Sequence, residues 1–318
     1  CASIGRIVGE SRNVTCETPL HIENHIQKDA FQPSYLPVID SPVMASATGP
    51  FGKISTEAQE KVPSLEVIDV SFRYDVSNDG VNHITFSVEP GELVALIGQN
   101  GAGKTTIFNL LTNVYKPTRG TVLLDGYDLA GKSVIETNHM GLARTFQNIR
   151  LFNNMSVLDN VLVGLGQTLS SHLFQDLFRT SKHWREEKEA RERAMDLLNI
   201  FDMTALAATN AGNLPYGDQR KLEILRALAT HPKVLLLDEP AAGMNPNETH
   251  ELMENVLKIR ESFHIAVLLI EHDMSFVMGV CEGLAVLDHG SIIAKGTPSE
   301  IQSNPRVIEA YLGTQEVK

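Results

Sequence analysis

Cysteine is scarce in this chain, with three in 318 residues at Cys1, Cys16 and Cys281. Thiols so few and so scattered supply neither a disulfide framework nor a zinc site, and they point to a reducing compartment. Basic residues are also in short supply: 27 Lys and Arg face 39 Asp and Glu, a net charge of −12. That balance speaks against a broad nucleic-acid surface, and no nucleic-acid partner is expected. Long apolar runs are missing as well. No stretch nears the roughly 18–20 residues needed to cross a bilayer. Residues 234–237 and 265–270 are short, apolar and followed by acids, so they read as buried parallel strands. There is no secretory leader pattern. The chain opens on Cys1 rather than Met, which reads as a truncated chain or a piece of a longer fusion.

What is present suits a sizeable core, since 42% of the residues are hydrophobic. Residues 1–62 stand apart, with scattered prolines and no sustained periodicity, and read as an irregular extension. His21 and His25 are four apart there, but Glu23 does not sit where a zinc-protease motif needs its acid, so they read as surface histidines. From residue 63 to 318 the text is one regular domain. Residues 67–74 and 84–88 alternate like strands, and 93–97 is a buried strand. Residues 104–113 read as a helix closed by Asn113 in the left-handed conformation, with a hairpin at Asp125-Gly126 beyond it. Residues 156–212 show no convincing strand, and about 150–213 forms a helical subdomain. Within it 181–201 is a charged helix with Glu187/Arg191 and Glu189/Arg193 four apart. Thr297-Pro298-Ser299-Glu300 is a capping box that starts a late helix.

Two stretches carry chemistry. Gly98-Gln99-Asn100-Gly101-Ala102-Gly103-Lys104-Thr105-Thr106 follows a strand and precedes a helix, the setting of a phosphate-binding loop. Its glycines let backbone N–H groups wrap phosphates, and the helix N-terminus adds its positive end. Lys104 then pairs with β- and γ-phosphates and Thr105 holds Mg²⁺. Val234-Leu235-Leu236-Leu237-Asp238-Glu239 delivers two carboxylates at the end of an apolar strand. Adjacent buried acids are costly without a cation nearby. Asp238 reads as the Mg²⁺ holder and Glu239 as the group that polarises the attacking water. Together the two motifs imply an ATPase or GTPase.

Further motifs resemble those of ATP-binding cassette (ABC) proteins. Phe146-Gln147 resembles the loop whose glutamine senses Mg²⁺ and touches a membrane partner. Leu214-Pro215-Tyr216-Gly217-Asp218-Gln219-Arg220 occupies the signature position, which in this family contacts ATP held by the opposite subunit. Ala242-Gly243-Met244-Asn245 resembles the D-loop, and His272 the switch histidine that contacts the γ-phosphate. Tyr74 sits where an aromatic ring stacks on adenine, although a core tyrosine would look the same in sequence. The resemblance covers residues 65 to about 313. It implies an α/β P-loop NTPase of ABC type, with a RecA-like core, an antiparallel β subdomain and a helical subdomain.

Within the family the text looks like the larger ATP-binding subunit of branched-chain amino-acid importers. The matching runs include 144–152, 216–224, 238–246, 268–274 and 296–313. That branch commonly carries Tyr-Gly-Asp or Tyr-Gly-Gln in its signature, so Tyr216 and Asp218 are subfamily features. Pro215 departs from both the family serine and the alanine common in the branch. The serine hydroxyl contact is lost, a hydrogen bond to a charged group worth roughly 1.5–3 kcal/mol. The N–H groups of the helix that starts near Pro215 remain to meet an anion. Asn245 replaces the D-loop aspartate. The resemblance implies ATP and Mg²⁺ as ligands and a second ABC ATPase subunit, most simply in a heterodimer. It also implies membrane permease subunits and an extracytoplasmic solute-binding protein, with this chain peripheral on the cytoplasmic face of the cell membrane. The rival readings are a lipid or lipopolysaccharide exporter ATPase, and a soluble ABC ATPase of DNA repair or translation. A third is that residues 1–62 are the tail of a fused permease.

Overall fold

The computed structural model describes residues 62–75, 78–166 and 181–312. The chain divides into two units, Cys1–Ala58 and Gln59–Lys318, and every described residue lies in the second. His21, His25 and all but the last residue of the expected extension therefore lie outside the described residues.

Four strands pair antiparallel in the order β2-β1-β4-β5: β1 (Leu65–Asp75), β2 (Asn78–Val88), β4 (Arg119–Leu124) and β5 (Tyr127–Asp128). The others are β3 (Leu93–Gly98), β6 (Leu142–Arg144), β7 (Val234–Asp238), β8 (Ala266–Ile270), β9 (Gly283–Asp288) and β10 (Ser291–Gly296). They form a six-stranded sheet in the order β10-β9-β3-β8-β7-β6, parallel except for β10 against β9.

The uninterrupted apolar runs follow from burial on both faces of this sheet. Successive residues of a strand point to opposite sides. Leu93, Ala95 and Ile97 of β3, with Leu235 and Leu237 of β7, enter one core; Val94, Leu96, Val234 and Leu236 enter the other. The second core is closed by the antiparallel sheet and by α1 (Lys104–Leu111). The first is closed by α3 (Val157–Leu165), α4 (Ser181–Ile200), α5 (Tyr216–Leu228), α6 (Pro246–Phe263) and α7 (Met274–Val280). The short α2 (Val134–His139) precedes β6, and α8 (Pro298–Gln302) and α9 (Pro305–Leu312) follow β10. Among the described residues no helix is long and apolar enough to cross a membrane.

Several local expectations are met. Asn113 has φ 58 just past α1, and Asp125 (φ 52) with Gly126 (φ 78) makes a two-residue turn between the paired Leu124 and Tyr127. Thr297 and Glu300 close their reciprocal cap. Between β6 and β7 the described residues hold helices and a single isolated bridge, Ser156 to Asn210. Two expectations change, the extent of one strand and the Glu189/Arg193 pair of the charged helix. Strand β2 begins at Asn78, well before residue 84. Its pairing with β1 shifts register repeatedly, with Asp69 and His83 at φ 49 and 52, so bulges hide the two-residue period. On α4, Glu189 meets Arg185 at 3.9 Å, and Lys188 meets Glu192 at 3.6 Å. Arg193 Nε is instead buried without a hydrogen-bond partner.

Candidate nucleotide site

Strand β3 and helix α1 are joined by the glycine-rich turn, and their sequence explains why the turn takes this path. A Cβ on Gly98 would lie 2.3 Å from the Leu287 carbonyl, because β9 passes against it. Gly103 holds φ 107, and a side chain there would strike Val81. Only glycine permits that backbone without strain. The turn, Tyr74 and the end of β7 line one cavity of about 530 Å³, with Asn100, Lys104, Thr105, Gln147 and Glu239 on its walls.

Lys104 is buried to 7% exposure and donates from Nζ to the carbonyls of Gly98 (2.7 Å) and Gln99 (3.0 Å). Burial pushes its pKa below the usual lysine value, and the carboxylates of Glu239 and Asp238 oppose that shift. An ammonium held by two carbonyls, facing two acids, is ready to exchange those partners for phosphate oxygens. Gln147 donates from Nε2 to Glu239 Oε2 at 2.8 Å. Glu239 sits at φ 47, left-handed for a non-glycine, with its N–H on the Ile270 carbonyl at 2.9 Å. Such strain concentrates where side-chain direction matters. His272, mostly exposed, places Nδ1 4.0 Å from Glu239 Oε1. Tyr74 donates or accepts a 2.7 Å hydrogen bond with the Thr106 hydroxyl, and its ring meets Phe72 edge-on at 5.0 Å.

Asp238 lies behind this cavity. Its Oδ2 accepts from Arg144 at 2.7 Å, with both side chains nearly buried. The oxygens of Thr105, Asp238 and Gln147 are hard donors of the kind Mg²⁺ takes, with phosphate and water completing its shell. Pro215, Tyr216, Gly217 and Asp218 do not reach the cavity. Pro215 is the N-cap of α5 with no side-chain bond, so the helix begins one residue after it. The Tyr216 ring lies 3.4 Å from where a Gly243 Cβ would stand, which packs the signature against the D-loop of the same chain.

Comparisons with known proteins bear on the family and the fold. A family model described as "ABC transporter" matches residues 81–242, and one described as "Branched-chain amino acid ATP-binding cassette transporter" matches residues 291–317. A 233-residue stretch is 48% identical to the high-affinity branched-chain amino acid transport ATP-binding protein LivG of Escherichia coli (strain K12), covering 73% of this chain and 91% of that protein. Identity to BraF of Pseudomonas aeruginosa, named likewise, is 44% over 79% of this chain and 98% of that one. Among solved structures, a nucleotide-free ATP-binding cassette of an ABC transporter matches with TM-score 0.68 and 30% identity, over 79% of this chain and 99% of that chain. An ADP-conformation cassette matches equally well, with TM-score 0.68 and 31% identity over the same shares.

The chain belongs to the ABC transporter family.

It is thus an ABC ATPase, a P-loop NTPase with mixed parallel and antiparallel sheets. Three residues that organise the site of this ABC ATPase lie inside the matching runs 144–152, 216–224 and 268–274, yet the motifs assign them no role. Arg144 closes the buried pair with Asp238 and also donates to Asn109 Oδ1 at 2.8 Å. Arg220 is fully buried and donates to the carbonyls of Phe146 (2.7 Å) and Gln147 (2.9 Å) and to Glu223 Oε2 (2.8 Å). Glu223 is held above the usual carboxylate range by burial, and Arg220 opposes that shift. Glu271, also buried, accepts from the N–H groups of Ala241 (2.9 Å), His272 (2.9 Å) and Asp273 (3.2 Å). It ties the turn after Glu239 to the turn that carries His272. Only Glu271 left a signal, since it is an acid ending a buried strand, as Asp238 is. Asn245 has a local structural role, because its Oδ1 caps α6, accepting from Asn247 (3.0 Å) and Glu248 (3.1 Å). Asn and Asp serve that position about equally.

Proposed function

We propose that this ABC ATPase powers an importer of branched-chain or similar amino acids. The observation that carries the reading is the 48% identity to LivG over 91% of that protein's length. In this reading the N–H groups of the Gly98–Thr106 turn wrap the phosphates of ATP. Lys104 leaves the Gly98 and Gln99 carbonyls for phosphate oxygens, and Tyr74 offers its exposed ring to adenine. Thr105, Gln147 and Asp238 would hold Mg²⁺, which would supply positive charge to the phosphates. Glu239 orients the water and takes its proton. That water attacks the γ-phosphorus as the bond to the β-γ bridging oxygen breaks, leaving ADP. Gln147 must exchange Glu239 for its new partner, and His272 reaches the γ-phosphate. Pro215, Tyr216, Gly217 and Asp218 meet the ATP of a second ABC ATPase subunit in a heterodimer.

Residues about 150–213 serve as the helical subdomain of an ATPase domain that runs from 63 to 318. A second cavity, of about 440 Å³, carries exposed Ile135, Phe152 and Val163 and is walled by Phe146 beside Gln147. An apolar surface of this kind suits a membrane permease, with the chain peripheral on the cytoplasmic face of the cell membrane. The solute then arrives from an extracytoplasmic binding protein, and no nucleic acid takes part.

The test is a pull-down of tagged Glu239→Gln protein, held with ATP, from gently solubilised host membranes. The expected catch is a pair of multi-span permeases and a second ABC ATPase. Soluble partners alone, with the chain absent from membranes, would refute the importer and favour the non-transport ABC ATPases. Lipid-biosynthetic neighbours among the catch would favour the exporter.

A further inference from the structure

The phosphate loop is held from outside by one contiguous piece of the chain. At its start, Gly98 pairs with Leu287 of β9. At its far end, the Ala102 carbonyl accepts from the N–H of Gly290, in the tight turn between β9 and β10, at 2.9 Å. Between these, Gln99 donates from Nε2 to the carbonyl of Ala310 at 2.5 Å. Ala310 lies near the last described residue of α9, Leu312. The helix is not a loose tail. Its Val307 is buried at 7%, and Ile301 of the preceding α8 at 2%, in the same core as β3 and β7. Gln99 is also the residue whose own carbonyl accepts Lys104 Nζ at 3.0 Å and the Ala102 N–H at 3.1 Å. One residue thus joins the resting place of the lysine to Ala310 of α9.

The geometry points to residues 287–310 as a built-in clamp on the phosphate loop, with Gln99 the positioning residue through which α9 sets affinity for nucleotide phosphate. This rests on the reading that the loop binds ATP. Without the Gln99 anchor, more of the loop's ordering falls to the ligand, and that share is subtracted from affinity. The effect belongs in binding more than in turnover, because Gln99 and Ala310 stand apart from Glu239 and the reacting atoms.

The test compares four proteins with a fluorescent ADP as probe: the unaltered chain, Gln99→Leu, a chain ended at Asn304, and the two changes combined. Each single change is expected to weaken ADP about fivefold, the size of one hydrogen bond, with KM for ATP rising more than kcat falls. The combined protein should bind no worse than either single one, because both remove the same contact. Additive losses, or native-like ADP binding by Gln99→Leu, would overturn the clamp. Should the shortened chain not fold, amide hydrogen exchange decides on Gln99→Leu alone. Faster exchange at Gly101, Ala102 and Gly103 upholds the proposal, and unchanged exchange overturns it. Lys104→Ala separates the two readings: if it binds ADP as the native chain does, the nucleotide site itself is wrong and the clamp falls with it.

Discussion

Arg144 and Asp238 meet with 8% and 7% of their side chains exposed, so neither charge has water to fall back on. Arg144→Met would strand a buried carboxylate and is expected to cost about 3 kcal/mol in urea denaturation. Pairing it with Asp238→Asn should recover much of that loss, and an undiminished loss in the double variant would show that the ion pair is not its source. Arg220 makes a different kind of contact. Its guanidinium bridges two consecutive carbonyls, of Phe146 and Gln147, as well as Glu223. A lysine cannot span all three from one nitrogen. Arg220→Lys is therefore expected to loosen Gln147 and lower kcat for ATP several-fold while the chain stays folded. Steady-state kinetics beside a circular-dichroism melt check both halves of that statement. These residues were not legible as functional because their partners come from elsewhere in the chain: β6 brings Arg144 to β7, and α5 carries Arg220 beneath the loop of Gln147.

At the scale of elements, the contact between α3 and α5 depends on one missing side chain. A Cβ at Gly164 would stand 2.6 Å from the Arg226 carbonyl and 2.7 Å from Ala229 Cβ. Gly164→Ala is expected to push the helices apart and destabilise the chain by about 1–3 kcal/mol, read as a lower urea midpoint. The capped helices give a pH dependence. Glu136 and Glu300 have their pKa values lowered by the backbone hydrogen bonds of Ser133 and Thr297. A carboxylate depressed on folding contributes stability that is present above its unfolded pKa and is lost as pH falls through the folded value. The loss thus begins below about pH 4.5. Glu300→Gln keeps the cap but cannot titrate, so its stability should fall less steeply in acid; an unchanged acid limb would argue against the cap as a source.

At the scale of the molecule, the apolar cavity beside Phe146 tests whether chemistry and docking can be separated. Ile135 is 69% exposed and Phe152 47%, and neither lines the nucleotide cavity. Ile135→Lys combined with Phe152→Ala is expected to abolish recovery of the chain with membranes while ADP still binds. Membrane recovery unaffected by the pair would move the docking surface elsewhere. Arg150 lies over the Phe146 ring at 4.6 Å, and its backbone N–H donates to Glu223 of the signature helix at 3.3 Å. A push on this surface therefore has a short path to the backbone that Arg220 holds.

The phosphate loop, the Asp238-Glu239 pair and the buried strands were legible because each is contiguous: strand, glycine turn and helix start within a few residues of one another. The alternation of β3 and β7 between two cores needed no tertiary information beyond a sheet covered on both faces. Tertiary structure alone decided which cation neutralises Asp238, what holds Gln147, and that Gln99 meets the Ala310 carbonyl of α9. Those are long-range pairings, and a sequence records the residue types without recording the distances that make them partners. Burial then sharpens their effect, since a charge or carbonyl removed from water must find its partner wherever the fold has put one.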